Sequence, residues 1–267
     1  AQFIDQWLGR DHLISPAVFA HSPYTCSPAT LVRAKRLADD RGVRFFIHLA
    51  ESASEAQQII DPQSNSPTGH LAALGLLDSN CTCIHTVWLN DADIDSLADH
   101  RVGVVTCPQS NAKLGSGIAP VAELVDKGAI VGLGTDGCAS NNSLDLFREM
   151  DMLAKLQKLQ RKEATALSAA QVLDCATASG ARAIGLDSVG SILPGKRADL
   201  LLIDMHQPHL TPFYNQDILV YGASGSDVDT VIVEGRLIMH EKKILTFDLD
   251  EVIERVRKLA EQVAPAR

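Results

Sequence analysis

The sequence has no long apolar run: nothing in its 267 residues approaches the ~20 consecutive apolar residues needed to cross a bilayer. Its start, Ala1-Gln2-Phe3-Ile4-Asp5, has neither a basic region nor an apolar signal core, so a soluble cytoplasmic protein is the expectation. Positive charge is also scarce, with 24 Lys and Arg against 33 Asp and Glu and a net charge of -9. No Lys/Arg-rich run or aromatic–basic interleaving offsets that balance, which argues against a nucleic-acid partner. The six cysteines, Cys26, Cys81, Cys83, Cys107, Cys138 and Cys175, include one C-x-C and no C-x-x-C. That spacing fits neither a disulfide scaffold nor a zinc ribbon, and reduced, mostly buried thiols are expected. There is no internal repeat and no low-complexity segment. The length suits one large α/β domain or two smaller ones.

What is present is a series of short apolar runs, each ending in a polar or reactive residue. Leu13–Ala20 leads to His21, Val43–Ile47 to His48-Leu49-Ala50-Glu51, and Cys81–Ile84 to His85. Val102–Val105 leads to Thr106, and Ala129–Leu133 to Gly134-Thr135-Asp136-Gly137. Between them lie helical patterns. Ser27-Pro28 sets a cap and a first-turn proline ahead of Ala29–Arg41, which Gly42 closes. Others run through Leu71, Leu74 and Leu77, over Asp91–Asp99 with its acidic first turn, and over Pro120–Lys127. Ser64-Asn65-Ser66-Pro67 is a loop signal within the polar stretch Ser52–Thr68, and Phe3–Trp7 reads as the end of a helix. Strand, helix, strand at this spacing is a βαβ unit.

The strand ends fall 27, 37, 21 and 30 residues apart. Eight units of that size would make about 230 residues, in the range of a (β/α)8 barrel, whose active site lies where the strands end. Five are present. The fold expected is therefore α/β: about the last five strands of a TIM barrel over residues 1–189, then a different architecture over 190–267. Leu144–Leu159 and Ser168–Ile184 read as helices that close the first part. In the second, Leu200–Asp204 is a short strand, and Val228–Glu234 and Leu237–His240 form a hairpin turned at Gly235-Arg236. Ile244–Phe247 follows, and Asp248–Ala264 is an amphipathic closing helix.

A single His at a strand end is usually hydrogen-bonded structure, and His12, His70, His100, His206, His209 and His240 are read so. His48, Glu51, His85 and Asp136 arrive at corresponding ends of successive strands, where a zinc-type ion takes imidazole and ionised carboxylate ligands. The segments His48-Leu49-Ala50-Glu51, His21-Ser22-Pro23-Tyr24, Ser110–Val121 and Leu133–Asn142 resemble the amidohydrolase superfamily. Within it they are most similar to the 5-methylthioadenosine/S-adenosylhomocysteine deaminases and to related chlorohydrolases and triazine hydrolases. Pro194-Gly195-Lys196-Arg197-Ala198-Asp199-Leu200 resembles that family's return to its small β-sandwich.

The resemblance implies a zinc-dependent deaminase of methylthioadenosine, S-adenosylhomocysteine or adenosine, with another divalent metal such as iron as an alternative. It implies that His48 and Asp136 are metal ligands, that Asp136 takes the proton of the attacking water, and that His85 orients that water. Glu51 would donate a proton to the substrate ring, and His21 and Ser140 would contact the substrate. A homo-oligomer is expected. Two departures stand out. No two histidines are two apart, although the superfamily normally carries a His-x-His pair on its first barrel strand, and Thr106 stands where the related deaminases usually have His. The expectation is that about three βα units and the opening half of the β-sandwich lie upstream of residue 1. Guanine deamination, chlorotriazine hydrolysis and a non-enzymatic binding module remain as alternatives.

Overall fold

In the computed structural model, which describes residues 1–59 and 66–263, two sheets divide the chain. The first runs β1 (Val18–Ala20), β2 (Phe45–Leu49), β3 (Cys81–His85), β4 (Gly103–Thr106) and β5 (Ile130–Leu133), in that spatial order and all parallel. After α1 (Gln2–Trp7), the crossovers are α2 (Pro28–Arg41), α3 (Glu55–Gln58) with α4 (Pro67–Ala73), α5 (Asp91–Asp99), and α6 (Pro108–Leu114) with α7 (Val121–Asp126). Three helices follow β5: α8 (Leu146–Arg161), α9 (Ala169–Ala176) and α10 (Ala178–Ala183). The second sheet is antiparallel, with β6 (Leu200–Ile203), β7 (Val228–Val233), β8 (Arg236–His240) and β9 (Lys243–Ile244) in order. Helix α11 (Asp217–Tyr221) precedes β7, and α12 (Leu249–Val263) closes the described chain.

Local signals place the helices. The Ser27 side chain accepts from Thr30 N–H, Pro28 occupies the first turn, and Gly42 ends α2 in the left-handed conformation at φ 60°. Asn90 and Asp93 form a reciprocal capping box on α5. On β2, Phe45, Ile47 and Leu49 are fully buried and join Leu31, Leu71 and Leu97 in the core. The alternate residues Phe46 and His48 are only half-buried, so this strand has one dry face and one open one. At the opposite end of the sheet from the strand termini, Ala183 O accepts from Thr82 Oγ1 and from the Arg44 guanidinium, both at 2.8 Å. A Cβ on Gly103 would lie 2.0 Å from that carbonyl, so only glycine admits this approach of α10 to β4.

Several boundaries differ from the sequence expectations. The run Leu13–Ala20 pairs only over β1, and β2 is shifted toward its C-terminus so that His48 lies within the strand rather than beyond it. The single helix expected over Ser168–Ile184 is two, broken at Thr177 with φ -127° and ψ -100°. The hairpin turns on Glu234-Gly235, both at positive φ as a two-residue type I′ connection requires, rather than on Gly235-Arg236. Of Ile244–Phe247, Ile244 lies in β9 and Leu245 N–H donates to Ile238 O of β8 at 2.9 Å. The Ser64-Asn65 part of the loop signal and Ala264 of the closing helix lie outside the described residues; Ser66 and Pro67 are the N-cap and first residue of α4. Cys81, Cys83, Cys107 and Cys175 are buried, and none of the six thiols is paired. Among the described residues, no helix is long and apolar enough to cross a membrane.

Candidate active site at the strand ends

The parallel register carries the site. His48 pairs with Ile84 and Leu49 with His85, so the two histidines stand one register step apart, His48 one residue before the end of β2 and His85 at the end of β3, and sharp turns in the backbone there accompany the meeting of their rings. Ala50, His85, Thr86 and Asp136 all have positive φ, between 48° and 75°. Non-glycine residues held in that region cost free energy, and such positions concentrate at functional sites. The turns are stitched together: Thr86 N–H donates to Leu49 O at 3.0 Å, and Val87 and Trp88 N–H both donate to Ala50 O.

Three imidazoles meet in a row. The His48 ring lies 5.1 Å from that of His85, nearly stacked, and 5.2 Å edge-on from that of His21; Phe19 closes its other side at 4.9 Å. Burial, reinforced by His85 and His21 and opposed by Asp136, pushes the His48 pKa down to about 4. His48 is therefore neutral at pH 7, and its buried Nδ1 has no hydrogen-bond partner among the described residues. A neutral ring with an unpartnered nitrogen is the form that ligates a metal. His85 is almost fully enclosed; its Nδ1 contacts Asn111 Oδ1 at 3.0 Å, and its Nε2 lies 3.9 Å from Glu51 Oε2. His21, exposed at the rim, contacts Thr25 Oγ1 at 2.9 Å.

Asp136, three residues past β5, is gripped by donors. Ser110 Oγ and Ser140 Oγ both donate to Oδ2 at 2.7 Å, and Gly137 N–H donates to Oδ1 at 2.8 Å. Burial alone would raise its pKa; Ser140, Ser110, the Gly137 amide and His85 together outweigh burial and hold it below the ordinary carboxylate value. An ionised carboxylate next to a neutral imidazole is a suitable oxygen and nitrogen donor pair. Among the described residues, however, no group of three or more His, Cys, Asp or Glu is placed to hold a metal ion.

All the residues singled out from the sequence, His21, His48, Glu51, His85, Asp136 and Ser140, thus lie at one end of one sheet. Sequence reasoning missed two buried carboxylates that hold the loops. Glu55, 1% exposed, accepts Ala50 N–H at 2.7 Å and Glu51 N–H at 2.8 Å, fixing the turn that carries Glu51. Glu149, fully buried in the first turn of α8, accepts Gln109 N–H at 2.9 Å and the Asn141 amide at 2.6 Å. Those two residues neighbour Ser110 and Ser140, so Glu149 ties together the first turn of α6 and the loop after β5, which both grip Asp136. A helical glutamate gives no pattern that separates this role from a solvated face. Ser110 and Asn111 were within reach, because they open one of the segments on which the resemblance rests.

Known proteins resemble this chain along nearly its whole length. A 5-methylthioadenosine/S-adenosylhomocysteine deaminase of Syntrophobacter fumaroxidans is 46% identical over 264 residues, covering 98% of this chain and 60% of the relative. A 5'-deoxyadenosine deaminase of Methanothermobacter thermautotrophicus is 43% identical over 257 residues, with 95% and 58% covered. The crystal structure of an adenosine deaminase from Xanthomonas campestris, solved with bound zinc, superposes with a TM-score of 0.94 at 35% identity, covering 98% of this chain and 60% of that one. The chain thus spans about 60% of the length of these relatives. The model of the amidohydrolase family matches residues 2–238, and the chain belongs to that family.

Proposed function

We propose that this chain is the greater part of a metal-dependent hydrolase that deaminates an adenosine-type nucleoside and releases ammonia. The observation that carries the reading is the convergence of His48, Glu51, His85 and a hydrogen-bonded, ionised Asp136 at the C-terminal ends of parallel strands. The five-stranded sheet is then a segment of a (β/α)8 barrel, residues 1–189 its share of the barrel, and 190–267 part of a small β-sandwich with its closing helix. Coverage of only about 60% of the relatives supports this view. We further propose a cytoplasmic, homo-oligomeric enzyme that binds neither nucleic acid nor membrane.

The residues present fit a metal as a partial set: His48 offers a neutral imidazole and Asp136 a carboxylate, and the remaining ligands come from outside these residues. Zinc is the metal proposed, with iron as the alternative. When bound, the metal lowers the pKa of a water to about 7 and so makes a nucleophile available at neutral pH. Asp136 receives that water's proton while Ser110 and Ser140 keep its carboxylate aimed. His85, in its dry pocket, orients the attacking oxygen. Attack at the amino-bearing ring carbon drives charge onto the adjacent ring nitrogen, where Glu51 delivers a proton. His21 and Ser140, at the more open side, contact the substrate beyond the reacting ring.

The test is a chimera that adds the part of the Syntrophobacter fumaroxidans relative outside the matched span. It is assayed for ammonia from adenosine, methylthioadenosine, S-adenosylhomocysteine and guanine, and for chloride from chlorotriazines. Release from the adenosine-type substrates is expected. Turnover of guanine or of chlorotriazines alone reassigns the substrate class, and a folded, zinc-loaded chimera inert to all of them makes the chain a binding module.

A further inference from the structure

The His85 ring has two different neighbours, and a neutral imidazole has one proton to place between its nitrogens. Nδ1 lies 3.0 Å from Asn111 Oδ1, whereas Nε2 lies 3.9 Å from Glu51 Oε2, beyond hydrogen-bond range. The hydrogen bond made by one nitrogen sets the state of the other. We propose that Asn111 is a positioning residue: its side-chain carbonyl accepts Nδ1–H and leaves the Nε2 lone pair of His85 turned toward Glu51 and the reacting centre. In that tautomer His85 accepts a hydrogen bond from the attacking water, whose proton goes to Asp136. In the other it could only donate.

The contact is enclosed and its backbone is held. Asn111 is 2% exposed, His85 is 1% exposed, and water cannot compete for their contact. The Asn111 backbone is fixed on α6 by its N–H to Cys107 O and by Ser116 N–H to its own carbonyl, each at 2.9 Å. Its neighbour Ser110 grips Asp136, so a single helical turn directs both groups that handle the water's protons. The Asn111 Nδ2 atom is buried without a partner among the described residues. An amide turned end for end would donate from Nδ2 to Nδ1 and force the ring proton onto Nε2, so the tautomer itself reports which way Asn111 acts.

This inference rests on the reading of His85 as a group of the reaction centre, but its test needs no turnover. The 267-residue chain labelled with [15N]histidine is examined by long-range 1H–15N correlation at about pH 8. His85→Gln identifies the signal by its loss. The expected result is a protonated, pyrrole-type Nδ1 and a bare, pyridine-type Nε2. Asn111→Asp, which still accepts, keeps the proton on Nδ1, and Asn111→Leu moves the population toward Nε2–H. A wild-type ring protonated at Nε2 overturns the proposal, as does an Asn111→Leu ring with its tautomer unchanged. Because the wild-type spectrum decides by itself, a variant that fails to fold leaves the outcome readable. A chain without deaminase activity gives the same spectrum, which keeps failure here distinct from failure of the functional reading.

Discussion

In the parallel sheet, Phe45, Ile47 and Leu49 of β2 are 0% exposed; in the antiparallel sheet, Leu201 and Leu202 of β6 are 54% and 50% exposed, and α12 buries none of its residues. The two regions use similar apolar residues and reach opposite environments. Where the strands are enclosed by α2, α4 and α5, a polar side chain at the strand end has to be satisfied by named partners, and that is where the site lies. Where apolar faces stay open, as on β6 and α12, their polar neighbours are solvated. The lesson is that burial gives this site its chemistry: it keeps His48 neutral, makes the donors to Asp136 decisive, and isolates the contact between His85 and Asn111.

The comparison can be broken most easily at Phe45. Phe45→Ala in the enclosed region should cost about 3–5 kcal/mol of unfolding free energy, read from denaturant melts of the chain. A loss below about 1 kcal/mol, the range of ordinary surface changes, would mean that this core is not cooperative. Glu149→Ala should cost about 1–3 kcal/mol by leaving the Gln109 amide unpartnered and removing one of the two acceptors of the Asn141 side chain. Unchanged stability would remove the loop clamp from the account.

The pH dependence sharpens the contrast. His48 has its pKa depressed from 6.5 to about 4, so the unfolded chain takes up this proton first as pH falls. Its contribution to stability is complete above about 6.5 and is lost progressively on the way down to about 4. In metal-free buffer, His48→Gln should flatten the decline of stability across that window; an identical decline in both proteins would show that the ring is not desolvated as described. The smallest effect is expected at Val256 on α12, 58% exposed, where replacement by Ala should change stability by no more than about 0.5 kcal/mol. A core-sized loss there would mean that the face is covered in solution.

The β/α region was legible in the sequence because each strand is a short apolar run cut off by His, Thr or Asp, and because Ser27-Pro28 and Gly42 mark helix ends directly. His48, Glu51, His85 and Asp136 could be read because register aligns strand ends without any knowledge of packing. Glu55, Glu149 and the tautomer-setting contact of Asn111 could not. Glu149 and Asn111 act on residues brought to them by the fold, 40 positions away for Gln109 and 26 for His85, while Glu55 reaches back four and five positions across an irregular turn, and none leaves a local period. The hairpin slipped by one residue for a related reason: Glu234 adopts positive φ under the twist of β7 and β8, a position that composition assigns to glycine or asparagine.

In the proposed function, the residues converging at the strand ends divide two tasks, with Asp136 holding metal and proton and Glu51 handling a proton only. Zinc per chain and ammonia release, measured together on the chimera and on its Glu51→Gln and Asp136→Asn variants, test that division. Full zinc is expected in Glu51→Gln with turnover down by roughly 10²-fold or more, and a loss of both in Asp136→Asn. Near-normal turnover in Glu51→Gln, or full zinc in Asp136→Asn, would contradict it.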